Sequence, residues 1–134
     1  MKKIPSDLEI LKAIYSRYHS SFKEYARTDP DRITRVRVPI DISKIAEDCG
    51  VEEDMVFGRL YYHFNKKYSY VDEKGERTTF FASLKFEGIS VNFPLVASAL
   101  ADLELEGRKF RISLLMSGTA LIISVIALAV ATLL

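Results

Sequence analysis

The sequence predicts an α+β domain followed by a further helix and a C-terminal transmembrane α-helix. Three observations carry this. Residues 112–134 form an apolar run without a charge, the segments before it alternate between helical and strand periodicity, and every charged side chain of the chain lies at or before Arg111. The 134-residue chain thus keeps roughly 110 residues for one hydrophobic core, enough for a single independently folding domain.

Charge divides the chain in the same way. There are 19 Lys and Arg against 18 Asp and Glu; setting aside Arg108, Lys109 and Arg111 leaves 16 basic residues against all 18 acidic ones, a net of −2 for residues 1–107. A domain of that balance lacks the strongly basic footprint of most nucleic-acid-binding domains. The single cysteine, Cys49, has no intrachain partner, and neither it nor His19 and His63 stands at a metal-ligand spacing, so an intracellular, reduced domain without metal or cofactor is expected. Met1-Lys2-Lys3 leads into Pro5, Ser6 and Asp7, not into an apolar leader, and targeting is expected from the other end.

That end reads ISLLMSGTALIISVIALAVATLL from Ile112 to Leu134. At about 1.5 Å per residue it spans the roughly 30 Å hydrocarbon layer. A helix apolar on every face is too much for so small a domain to surround, which favours the lipid bilayer as its partner. Arg108, Lys109 and Arg111 flank the span on its N-terminal side, and the positive-inside bias then predicts a single-pass protein with its N-terminal domain in the cytoplasm. Such an anchor emerges from the ribosome only after translation ends, so a tail-anchored protein inserted post-translationally is expected. Ser113 and Ser117, Ala120 and Ser124, and Ala127 and Ala131 stand four apart, a spacing that suits either a self-association face or simple lipid contact.

Ahead of the anchor, Ser6 with Glu9 forms a capping-box signature, and Leu8, Leu11, Tyr15, Tyr18, Phe22 and Tyr25 continue a helical stripe to an end near Thr28. Thr28-Asp29-Pro30-Asp31 reads as a turn. Val36, Val38 and Ile40 alternate with Arg35 and Arg37 in a short strand from Ile33 to Ile40, which Pro39 places at a sheet edge or strand end. A helix carrying Ile42, Ile45, Ala46 and Cys49 stops at Gly50, and a second starts almost at once behind Glu52, Glu53 and Asp54, with Val56, Phe57, Leu60 and Phe64 as its buried stripe. Tyr68–Val71 and Thr78–Phe81 flank a turn with Gly75 as a hairpin. Leu84–Phe93 is expected extended and partly buried. Asn92 or Phe93 starts another helix, with Pro94 in its first turn and an apolar face of Leu95, Val96, Ala99, Leu100 and Leu103.

Ala46, Gly50, Val51, Val56 and Leu60 resemble the small, turn and apolar positions of helix-turn-helix families. With a helix and a strand before them and a hairpin after, they resemble the winged-helix fold over roughly residues 6–90. The expected organisation is a small winged-helix-like domain at 1–91, a juxtamembrane helix with a basic cluster at 92–111, and a transmembrane helix at 112–134. In a DNA-reading winged helix the second helix of the pair enters the major groove. The resemblance therefore implies a nucleic-acid face of Arg59, Tyr62, His63, Lys66 and Lys67, to which Asn65 adds an amide, with Lys74 and Arg77 on the wing. Glu52, Glu53 and Asp54 argue against that role, because phosphates repel carboxylates. The same cations are equally accounted for if Lys66 and Lys67 complement the helix C-terminus, Tyr62 half-covers the core, and the wing charges pair with Glu73 and Glu76.

No nucleophile motif, phosphate-binding glycine loop or paired Cys/His set is present in the sequence, so a non-enzymatic protein is expected. The function expected first is a membrane-tethered DNA-binding regulator. Beside it stands a membrane-anchored protein-interaction or self-assembly module acting through its aromatic-rich helix, or as a homo-oligomer through Leu100, Leu103 and the transmembrane helix. A membrane-permeabilising effector with a sensing domain is a third reading.

Overall fold

The capping box forms: the Ser6 hydroxyl accepts from the Glu9 N–H at 3.2 Å and the Glu9 carboxylate from the Ser6 N–H at 3.3 Å, starting α1, Asp7–Lys23. The computed structural model describes residues 3–24, 34–84 and 88–134. The expected helix end near Thr28, the 28–31 turn, the strand start at Ile33 and the apolar positions Tyr25 and Phe86 lie outside them. Two compact units are distinguished, Met1–Ala101 and Asp102–Leu134. The first is a mixed helix and sheet unit, and a long apolar helix makes up the second.

In the first unit α1 buries Ile10, Leu11 and Ile14. Its aromatic residues flank that seam and do not form it: Tyr15 and Phe22 stack on Phe93 with ring centres 5.3 and 4.8 Å away. Compact aliphatic side chains fill the helix interface, and the larger rings cover its border. The strand β1, Arg37–Pro39, buries Val38, while Val36 lies ahead of the strand and is exposed. Three antiparallel strands are ordered β1-β5-β4, with β4 at Phe81–Leu84 and β5 at Gly88–Asn92; Arg37 faces Asn92, Val38 faces Val91, and Phe81 also faces Val91. Pro39 therefore lies on an edge strand, where a missing N–H is tolerated.

Asp41 caps α2, Ile42–Cys49, by accepting from the Ser43 N–H at 3.0 Å, and Gly50 ends it in the left-handed region at φ 69°. Glycine adopts that conformation without the Cβ clash other residues meet, so the chain turns within three residues into the next helix. That second helix of the pair runs as α3, Glu53–Gly58, a π-helical turn, Arg59–Phe64, and α4, Asn65–Tyr68.

The hairpin expected from Tyr68 to Phe81 is shorter. Only β2, Tyr70–Val71, and β3, Arg77–Thr78, pair, as a separate two-stranded sheet, and Phe81 belongs to β4. Asp72 holds the connection by accepting from the Lys74 and Glu76 N–H groups at 2.9 and 2.8 Å. The stretch expected as extended, Leu84–Phe93, contains the end of β4 and the whole of β5. Asn92 then caps α5, Phe93–Leu133, by accepting from the Leu95 N–H at 3.2 Å.

The start of α5 belongs to the core. Phe93, Val96, Ala99 and Leu100 are buried among Phe64, Phe80, Leu60, Val38 and Val91 and the other core residues of the first unit. Neither Gly107 nor the basic cluster interrupts α5, so the boundary at 111 is one of chemistry and not of conformation. Within the second unit the helix is exposed from Glu104 onward, and its most apolar window has a mean hydropathy of 2.4 with 0% buried. It is long and apolar enough to cross a membrane.

At 8% exposure, Leu100 is packed inside its own unit, whereas Leu103 is only half-buried. They do not form one exposed association stripe. Leu100→Ala is expected to lower the stability of the first unit by about 2–3 kcal/mol, and Leu103→Ala by clearly less. Guanidinium titration of the full chain in mild detergent, followed by tyrosine near-ultraviolet dichroism, measures both.

Candidate interaction surface on the second helix

Residues 53–68 carry two rows with a strict four-residue repeat. Val56, Leu60 and Phe64 are fully buried, and Arg59, His63 and Lys67 form the row beside them. An α-helix of about 3.6 residues per turn would let such rows drift around the axis. The π-helical turn over Arg59–Phe64, in which the Asn65 N–H reaches the Leu60 carbonyl five residues back, has more residues per turn and straightens them. Both rows therefore keep facing their partners from one end of the helix to the other.

The partner of the second row is Asp7, in the first turn of α1. Its carboxylate accepts from the Arg59 guanidinium, from Tyr68 Oη at 2.7 Å and from His63 Nε2 at 2.8 Å, with Lys67 Nζ at 3.6 Å. Arg59 also donates to the Pro5 carbonyl at 2.8 Å. The Asp7 side chain is only 14% exposed. Burial alone would raise its pKa, but the hydrogen bonds from Tyr68, His63 and Arg59, with the charge of His63, outweigh that and hold it at about 2. Three of the side chains expected on the nucleic-acid face, Arg59, His63 and Lys67, are thus engaged in joining α1 to the second helix.

The other expected site residues are dispersed. Tyr62 is 75% exposed, so it does not half-cover the core, and Lys66 is exposed as well. Asn65 is turned inward, its side-chain oxygen accepting from the Phe81 N–H at 2.9 Å. The Arg77 guanidinium donates to the Asn65 backbone carbonyl, which holds the β2–β3 hairpin against the helix end. Lys74 stands exposed in the turn of that hairpin, which does not join the sheet containing β1. Arg108, Lys109 and Arg111 are exposed on α5 in the second unit.

On its outer face the second helix presents rings. Phe57, expected in the core, is 36% exposed, Tyr61 51%. Phe57 stacks on Tyr61 at 5.8 Å and meets Phe81 edge-on at 5.7 Å, while Tyr61 and Tyr62 pack edge to face at 4.9 Å. The rings support one another, and exposure rises from Phe57 through Tyr61 to Tyr62. A regular helical stripe puts Val56 and Phe57 both inside; the four-residue repeat of Val56, Leu60 and Phe64 separates them. Asp7 was legible only as a helix-start residue, because nothing local marks a carboxylate for partners some 50 positions away.

Among the described residues, no group of three or more His, Cys, Asp or Glu is placed to hold a metal ion. The chain matches no known protein family, no curated protein and no solved structure.

Because the Asp7 carboxyl titrates lower in the folded protein than in the unfolded chain, its contribution is complete above the unfolded value near 3.8 and is lost as pH falls toward 2. Asp7→Asn is expected to remove about 2 kcal/mol at neutral pH and to flatten the acid limb between those two values. Unfolding titrations of both proteins across that pH range check it.

Proposed function

We propose that this chain is a membrane-anchored, non-enzymatic recognition module. A winged-helix domain in the cytoplasm, carried by one spanning helix, binds another protein through the outer face of its second helix. The winged-helix reading is supported by chain order and pairing. A helix, an edge strand, a helix pair and four further strands come in sequence; β2 and β3 pair only with each other, and the last strand, β5, pairs with β1 and β4. In that reading the wing is the β4–β5 hairpin, and Lys74 and Arg77 lie outside it.

The observation that carries protein over nucleic acid is the Asp7 junction. Arg59, His63 and Lys67, the donors a major groove would need, face a carboxylate of their own chain, while Phe57, Tyr61 and Tyr62 face outward. Aromatic residues of this kind are enriched at the centres of protein interfaces. A membrane-tethered DNA-binding regulator is the second reading, favoured by Lys66, Lys74 and Arg77, which are exposed. The three carboxylates from Glu52 to Asp54 at the helix start oppose it.

Membrane anchoring is supported by the charge-free segment of α5 and by its hydroxyls. Thr119 and Ser124 donate to carbonyls four residues back, and Thr132 to one three back, at 2.8–2.9 Å, which satisfies them without water. The cytoplasmic orientation rests on the basic cluster before the span.

Two measurements test this. Paired Leu121→Arg and Ile122→Arg substitutions, each about 3 kcal/mol unfavourable near a bilayer centre, are expected to move the chain out of the membrane fraction. Protease added to sealed vesicles from the cytoplasmic side is expected to digest the first unit. For recognition, a photo-reactive phenylalanine analogue at position 62 of the full chain in its membrane is expected to cross-link one protein, identified by mass spectrometry. The same group at Ser16 on α1 should not. Cross-linking to nucleic acid alone would transfer the assignment to the second reading.

A further inference from the structure

The rows on the outer face do not end in rings. Four residues before Phe57 stands Glu53, and four before Gly58 and eight before Tyr62 stands Asp54. Side chains at that spacing are neighbours on a helix, so one exposed strip runs from two carboxylates to three aromatic rings, with Lys66 beyond Tyr62 at its far end. Among the described residues neither Glu53 nor Asp54 pairs with a cation.

Gly58 lies in the middle of that strip. Its backbone is ordinary right-handed helix, φ −60° and ψ −41°, and an added Cβ would meet only Tyr62 Cδ2, at 4.0 Å. Neither conformation nor packing requires glycine there, and a glycine inside a helix weakens it. What it does leave is an unfilled step between the carboxylates and the rings.

We propose that the protein bound by this face presents a basic segment. One or two of its Arg or Lys side chains lie over the faces of Tyr61 and Tyr62 and cross the step at Gly58 toward Asp54 and Glu53. Ring faces attract a cation, and carboxylates beside them supply the counter-charge. Arg59, His63 and Lys67 face Asp7, and Lys66 stands at the far end of the strip, beyond Tyr62, which leaves the Glu53 and Asp54 end without a cation of its own. The inference rests on the protein-recognition reading and narrows it to one partner chemistry.

The test uses the full chain in phosphatidylcholine nanodiscs at about 0.15 M salt. Its probes are short fluorescent peptides identical except for Arg, Gln, Glu or Leu at alternating positions, with duplex DNA as a parallel probe. The Arg peptide is expected to bind at least roughly tenfold more tightly than the Gln peptide, and the Glu peptide not at all. E53Q with D54N should erase that preference while lowering the thermal unfolding midpoint only slightly, since both carboxylates lie in the first turn of the helix and favour its dipole. Gly58→Gln, which fills the step, should weaken the Arg peptide while leaving the fold intact. Equal binding of Arg and Gln peptides, or an Arg preference that survives E53Q with D54N, overturns the proposal. Preferred binding of the Leu peptide, lost in Tyr62→Ser, overturns it while leaving protein recognition standing. DNA binding without Tyr62-dependent peptide binding, or no binding of any probe, overturns both.

Discussion

The first unit depends on one carboxylate. Asp7 is the point at which α1, the helix that begins the fold, meets the second helix of the pair, and it gathers a guanidinium, an imidazole, a phenol and an ammonium. A mostly buried carboxylate is tolerable only with such a set of donors. The same set fixes the rotation of the second helix about its axis. With Arg59, His63 and Lys67 turned to Asp7, Val56, Leu60 and Phe64 fall inside and Phe57, Tyr61 and Tyr62 outside. The straightened rows of the π-helical turn are what let one carboxylate and one core serve the whole length of that helix.

Much of the architecture was legible in the sequence because its signals are local. The capping box at Ser6 and Glu9, the stop at Gly50, the edge position of Pro39 and the start of α5 at Asn92 each depend on a few neighbouring residues, and each stands where expected. The hairpin was misread because a local turn signal at Asp72–Gly75 says nothing about which sheet its flanks join. Phe81 is drawn into β4 by pairing with Val91, ten residues on. The candidate site was legible in part. Tyr62 and Lys66 are exposed as expected, whereas Arg59, Asn65 and Arg77 are engaged by groups that only the tertiary fold brings near.

Two surfaces of opposite character share one chain. The first unit buries its apolar side chains against one another, and residues 112–134 have no such neighbours within their unit, every one of them being exposed. Water would penalise that surface along its whole length, and a hydrocarbon layer would not. The change falls within α5, where the backbone is the same helix on both sides and only side-chain chemistry marks the boundary.

The edge of the three-stranded sheet is closed at β1. Residues on β1 alternate between pairing with β5 and facing away, and the two that face away are Arg37 and Pro39. Pro39 has no N–H, and that of Arg37 donates to the Thr34 hydroxyl at 3.2 Å. Across the sheet, the Phe81 N–H at the start of β4 is taken by Asn65. An incoming strand finds no donor along β1 on which to build. With its outward N–H groups absent or already taken, β1 disfavours edge-to-edge pairing between copies of the chain.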